Sequence, residues 1–161
     1  MVKPLKTAAW SWLASLIRPA TKDDYPAIES HAEEFWAHAP FDVPYKSGSA
    51  IFYMDIAYEQ GLLLVAEHQG EVVGFAAGAC SPLMGNDDYI IGSELAWWID
   101  PAHRGGRLGI ALLMALEVAA KESGCAIWNM IYMESCMPKI IEKMYQKMGY
   151  TLKETTYSKR L

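Results

Sequence analysis

The stretch Trp97-Trp98-Ile99-Asp100-Pro101-Ala102-His103-Arg104-Gly105-Gly106-Arg107-Leu108-Gly109-Ile110-Ala111-Leu112-Leu113 constrains the fold more than any other. An apolar strand, Tyr89 to Ile99, closes at Asp100-Pro101. A glycine-rich turn follows, then a helical pattern from Leu108 to Glu122 that Ser123-Gly124 ends. The next apolar run, Ala126 to Met133, reads as another buried strand. Strand, turn, helix, strand is one βαβ unit, so these two strands are expected to run parallel around a crossover helix.

The turn also has a chemistry. The first amides of a helix lack intrahelical partners, and the helix dipole places partial positive charge there. Such an end binds phosphate. Glycines permit positive φ and close backbone approach, and Arg104 and Arg107 add full charges beside them. The ligand to expect is a polyphosphate or a pyrophosphate-bearing cofactor. No Gly-Lys-Ser or Gly-Lys-Thr closes the turn, which argues against a P-loop. Asp100-Pro101-Ala102-His103 separates the turn from its strand, and the turn sits late in the chain, which argues against a dinucleotide fingerprint. An ordinary helix start with turn glycines is the plain alternative.

The other elements follow from periodicity and punctuation. Ser15 to Arg18 reads as a short strand stopped by Pro19. Thr21 caps a helix over about 22–38 whose stripe is Ile28, Ala32, Phe35 and Trp36. Ser47 or Ser49 caps a second helix to about Gln60. Leu62 to Glu67 and Glu71 to Ala79 form an antiparallel hairpin around Gln69-Gly70. Gly85-Asn86-Asp87-Asp88 reads as a loop. Glu134 to Met148 reads as a helix with a break or start at Pro138, and Tyr150 to Lys159 as a final strand. The sheet should be mixed, antiparallel at first and parallel across the crossover.

Composition narrows the class. A chain of 161 residues, 52% apolar and 20% charged, suits one folded domain over 1–161 and excludes a disordered one. A net charge of -5 leaves no basic face for nucleic acid, and weakly favours a cationic amine substrate. Cys80, Cys125 and Cys136 are odd in number and dispersed. This argues against a disulfide framework or zinc site and for a cytoplasmic setting. Lys3 and Lys6 precede an apolar stretch, Ala8 to Ile17, that has the look of a short secretory signal but is too short to span a membrane. Trp10, Ser11 and Trp12 interrupt it, so residues 1–14 read as an extension leading into the first strand, with no membrane partner.

The turn resembles motif A of the GCN5-related N-acetyltransferases (GNAT), Gln/Arg-x-x-Gly-x-Gly/Ala, with Arg104 at the first position, Gly109 at the last and Arg107 in place of the inner glycine. The segment 16–24 resembles the family's opening strand and helix, and Met144-Tyr145-Gln146-Lys147-Met148-Gly149-Tyr150 is similar to its Tyr-x-Lys-x-Gly-Phe segment. The resemblance implies an α/β (α+β) fold. Its mixed, mostly antiparallel central sheet would have about six or seven strands, flanked by about four helices. It also implies acetyl-CoA as co-substrate, a primary amine as acceptor, direct attack in a ternary complex, and a possible homodimer.

It further implies roles for single residues. The cofactor would lie along the backbone of Trp98 and Ile99, like an added strand. Its diphosphate would sit on the turn formed by Arg104, Gly105, Gly106, Arg107, Leu108, Gly109 and Ile110. Tyr145 would protonate the leaving thiolate, and otherwise is a core aromatic. Glu94 would serve as base through water, and otherwise is a solvated strand carboxylate. The family's Asn early in the last helix falls on Pro138 here, and Asn129 on the preceding strand is a substitute. Phe41, Asp42 and Tyr45 are candidate acceptor contacts. His31, Glu34 and His38 share a helical face, read as solvated rather than as a metal site. Cys136 reads as a small buried thiol. A non-catalytic acyl-CoA-binding or regulatory domain on the same fold, and an acidic interaction protein without ligand, are the alternatives.

Overall fold

A computed structural model describes residues 16–133 and 138–161. The expected extension over 1–14, Ser15, Cys136 and the start of the last helix at Glu134 lie outside them.

Five strands form one sheet in chain order: β1 Ile17–Pro19, β2 Leu63–His68, β3 Glu71–Leu83, β4 Asn86–Ile99 and β5 Cys125–Asn129. The first four are antiparallel neighbours, and β4 and β5 run parallel. Four α-helices accompany them: α1 Tyr25–Trp36, α2 Ile51–Glu59, α3 Leu108–Glu122 and α4 Pro138–Met148. Period-two alternation in β2 explains the layering. Leu62, Leu64 and Ala66 face a core shared with Leu108, Ala111, Leu112 and Leu116 of α3. Leu63 and Val65 face a second core with Ile28 and Ala32 of α1 and Met54 and Ala57 of α2.

The chain enters through a charged lock. Arg18 forks onto Asp24 with bonds of 2.7 and 2.8 Å and reaches Glu67 with its Nε at 2.8 Å. The amide and hydroxyl of Thr21 also donate to Asp24, at 2.7 and 2.9 Å. The Arg18 guanidinium holds the Asp24 carboxyl well below the usual carboxylate range. This ties β1, β2 and the start of α1 together.

Three readings need correction. The loop expected over 85–88 is a two-residue turn, Met84-Gly85, because Leu83 pairs with Asn86 and Gly85 takes φ of 101°. Asn86, Asp87 and Asp88 lie in the strand, at its exposed end. The strand expected over 126–133 stops at Asn129. No strand forms over 150–159: Leu152 and Tyr157 are exposed among Lys153, Glu154 and Lys159. So few apolar anchors do not offset the entropy of ordering the segment. Tyr150 turns back instead, its hydroxyl donating to Glu117 on α3 at 2.9 Å and its ring 5.7 Å from Tyr145. Among the described residues the sheet therefore has five strands, fewer than expected, while the mixed topology and four flanking helices stand.

Candidate active site

The site is set by how β4 leaves the sheet. Ala77 pairs with Ala96 and Gly78 with Glu94, so Leu95 is an extra, bulged residue. A bulge reverses which face the following residues address. Glu94 lies opposite Gly78, on the face where Trp128 covers that glycine and α3 packs. Trp98 lies on the opposite face, against α1. Without the bulge, strict alternation would put Glu94 beside Trp98.

The bulge also marks where β4 and β5 part. Their pairing ends at Ser93 and Asn129. On that side, residues 94–99 have no strand partner among the described residues. A strip of backbone is therefore available for pairing, bounded by Asn129 at its closed end and the turn at its open end.

At the open end, Asp100 accepts from the Ala102 amide at 2.7 Å, and Pro101 starts a short 3-10 turn to His103. Gly105 has φ of 86°, a conformation that favours glycine. Arg107 is the N-cap residue and makes no side-chain cap bond. The first helical bond runs from the Ala111 amide to the Arg107 carbonyl at 2.9 Å. The amides of Leu108, Gly109 and Ile110 precede it, as orphan helix-start donors do. A Cβ at Gly105 or Gly106 would meet nothing within 4 Å, so the turn's surface is open. Gly109 differs: a Cβ there would come within 2.9 Å of Trp97. Its lack of a side chain lets α3 pack closely on β4, a role separate from anion approach. This open turn fits a diphosphate.

Arg104 folds back onto the strand. Its Nε donates to the Ile99 carbonyl at 2.7 Å, and its guanidinium lies 4.1 Å from the centroid of the Trp98 ring. The Trp98 indole donates to Glu34 at 3.3 Å, and His38 lies 5.3 Å from the same ring. Of the three residues read as a solvated face, Glu34 and His38 are exposed as expected, and His31 is not. His31 is buried, its Nε2 at 2.9 Å from the Val72 carbonyl. Sequence reasoning missed this stack, because the pairing of α1 with β4 crosses 64 residues of chain.

Glu94 and Tyr145 converge on one residue, Ile131. Glu94 is 6% exposed and accepts from the Ile131 amide at 3.3 Å. Tyr145, also 6% exposed, donates from its hydroxyl to the Ile131 carbonyl at 3.0 Å. Burial pushes the Glu94 carboxyl up to about 7, the Ile131 amide offsetting part of the rise. Glu94 is therefore not the solvated carboxylate of the plainer reading. Ile131 drew no attention in the sequence, and no motif marks it.

The candidate acceptor residues lie between α1 and α2. Phe41 stacks on Trp36 with centroids 5.8 Å apart. The Tyr45 hydroxyl donates to Glu29 at 2.7 Å, and burial with that carboxylate raises its pKa. Asp42 is exposed and lies 3.9 Å from Arg160.

The family profile described as "Acetyltransferase (GNAT) domain" matches residues 59–152. No curated protein sequence matches the chain. Solved structures share its fold. An integron cassette protein from the mobile metagenome of Cole Harbour Salt Marsh superposes with a TM-score of 0.73 at 17% identity, over 96% of this chain and 95% of that one. Aminoglycoside N-acetyltransferase AAC(6')-Iy, in complex with CoA, superposes at 0.70 and 16% identity, over 90% and 93%. Ribosomal-protein-alanine N-acetyltransferase from Brucella melitensis biovar Abortus 2308 gives 0.66 and 18%, over 90% and 99%. Fold and profile together define an acetyltransferase. The chain belongs to the GNAT family.

Proposed function

We propose that this acetyltransferase moves an acetyl group from acetyl-CoA to a primary amine by direct attack in a ternary complex. Acetyl-CoA supplies the thioester carbon that the amine attacks. The observation carrying the reading is the strip 94–99: unpartnered by a strand among the described residues, it leads into the turn at 104–110. The backbone of Trp98 and Ile99 would hold the pantetheine arm as a neighbouring strand. The amides at Leu108, Gly109 and Ile110, with Arg104 and Arg107, would hold the diphosphate. Asn129, at the closed end, would bond the arm.

The chain's own groups cover the proton traffic. An amine is protonated at neutral pH and must lose a proton before attack. Glu94, held near 7 by burial, is suited to take it through water. A backbone amide of Trp98 or Ile99 would polarise the carbonyl oxygen as charge grows on it. Tyr145 would give its proton to the departing sulfur. Phe41, Asp42 and Tyr45 would line the acceptor's path, where aromatic faces beside carboxylates suit a cation. A homodimer and a cytoplasmic setting complete the proposal.

Thiol release with acetyl-CoA and a panel of amines tests it. We expect at least one amine to give turnover. Replacing Tyr145→Phe should lower kcat by roughly 100-fold while leaving CoA affinity within a few-fold. Unchanged turnover would remove Tyr145 from the acid role. If CoA binds yet no amine in a wide panel releases thiol, the non-catalytic alternative gains the case.

A further inference from the structure

The end of α4 holds Tyr145 through its backbone as well as its side chain. The Tyr150 amide donates to the Tyr145 carbonyl at 3.0 Å, and the Gly149 amide to the Gln146 carbonyl at 3.1 Å. A two-bond cap of this kind needs a left-handed residue just past the helix, and Gly149 supplies it with φ of 96°. It also brings the side chain after the glycine toward the residue whose carbonyl it closes on. Here those two are Tyr150 and Tyr145, with ring centroids 5.7 Å apart. The Tyr150 ring has an anchor of its own: its hydroxyl donates to Glu117 on α3 at 2.9 Å, a bond that the carboxylate's charge strengthens. Burial, with that carboxylate adding to it, pushes the Tyr150 phenol well above its ordinary range, so it remains a donor at any working pH. The family segment that 144–150 resembles ends in Phe, which has no hydroxyl, so the anchor comes with Tyr150.

Tyr145 is what seats α4. It is the one buried residue of 139–148, where Ile140, Glu142, Lys143, Gln146 and Lys147 are exposed. A helix with so little buried surface depends on whatever fixes that ring. Two contacts do so: the Tyr145 hydroxyl on the Ile131 carbonyl at 3.0 Å, and the Tyr150 ring. The second contact leads to α3. Glu117 stands on the helix whose first amides face the turn at 104–110. Accuracy at this point matters for rate, because a misplacement of ~1 Å in a reacting group can cost about 100-fold.

We propose that Tyr150 and Glu117 are positioning residues for acetyl transfer: Glu117 pins the Tyr150 phenol, and Tyr150 sets the Tyr145 ring. One helix, α3, then carries both the start of the diphosphate cradle and the latch for the acid. The inference rests on the reading of Tyr145 as the group that protonates the leaving thiolate. Tyr150 and Glu117 exchange no proton in the transfer and act through Tyr145.

The test uses the full chain. Y150F keeps the ring and removes the anchor, while E117A removes the acceptor and leaves Tyr150 in place. In each, kcat should fall roughly 10-fold while KM for acetyl-CoA stays within about 2-fold. E117Q, which keeps an acceptor oxygen without the charge, should fall between E117A and the parent. In a Y145F background neither change should lower kcat further, since both act through the hydroxyl already removed. A second readout is independent of turnover: NMR of the tyrosine Cζ resonances in isotope-labelled protein, with the Tyr145 signal identified by its loss in Y145F. That signal should shift or broaden in Y150F and E117A. Circular dichroism checks folding, and E117A, a change at an exposed helix position, carries the test if Y150F does not fold. An unmoved Tyr145 signal overturns the proposal, as does an equal loss of kcat in the parent and Y145F backgrounds. Failure of the underlying reading shows separately, as parental kcat in Y145F or no thiol release by the parent, and the Tyr145 signal then decides whether the latch sets the ring.

Discussion

Glu94 shows how one residue's environment sets its chemistry. It is a carboxylate on a strand, yet 6% exposed, with the Ile131 amide as its partner at 3.3 Å. Its pKa is pushed up to about 7 from the ordinary 4.5, with two consequences. As a base it works only when ionised, so kcat/KM should rise with pH through about 7 and level off above. Glu94→Gln should flatten that rising limb, and a pH–rate profile of both proteins reads it. The second consequence concerns stability. The folded state holds the proton between about 4.5 and 7, where the unfolded chain has lost it. Stability tied to this group is thus present below 4.5 and lost as pH climbs to 7, by on the order of 3 kcal/mol. Glu94→Gln removes the cost of the buried charge. Its melting temperature should match the parent at pH 4 and exceed it at pH 8. A variant that is less stable at pH 8 would mean the ionised carboxylate is well paired in the fold.

At the scale of elements, the turn and α3 illustrate two different uses of glycine. Gly106 faces open space, while a Cβ at Gly109 would lie only 2.9 Å from the Trp97 ring, too close to fit without a shift. Gly109→Ala should push α3 off β4 and cost about 1–3 kcal/mol, which lowers the melting temperature by several degrees in a domain of this size. Gly106→Ala should leave it nearly unchanged. Thermal melts of both variants check this, and equal melting temperatures would refute the packing role. The bounds of α3, Leu108–Glu122, were legible in the sequence because strong punctuation sits at each end: the glycine turn before it and Ser123-Gly124 after it. The hairpin at Met84-Gly85 was not, because Asn86-Asp87-Asp88 has loop composition but is carried into the strand by its pairing with β3. The bulge at Leu95 leaves no compositional trace either. It is a property of register between two strands, and only the paired structure reveals that it turns Glu94 toward Ile131. The Trp98 stack was hidden for a related reason: Glu34 and His38 from the end of α1 and Arg104 from the turn meet on it from two distant segments.

At the scale of the molecule, the sheet is a ladder with one open seam. β1 to β4 are bonded edge to edge, and β5 joins β4 only as far as Ser93. Beyond that rung the chain spends its polar backbone differently on the two sides of β4: the β3 side stays paired through Ile99, and the other side faces the gap. Backbone amides in such a strip exchange with solvent more readily than those in a complete ladder. If CoA lies in the seam, it supplies the missing partners, and ligand binding should stabilise the whole fold by about 2.7 kcal/mol at 100-fold over its dissociation constant. The two effects can be separated by hydrogen–deuterium exchange measured on the full chain with and without saturating CoA. Global stabilisation slows exchange everywhere that opens by unfolding, whereas filling the seam slows it locally. We expect the strongest new protection in peptides covering 94–99 and 107–111. The change in 63–68, buried in β2 between two paired neighbours, should be smaller and match the global shift. Protection spread evenly over the sheet, with no excess at 94–99, would place CoA outside the seam and leave the acyl group without the strand that orients it.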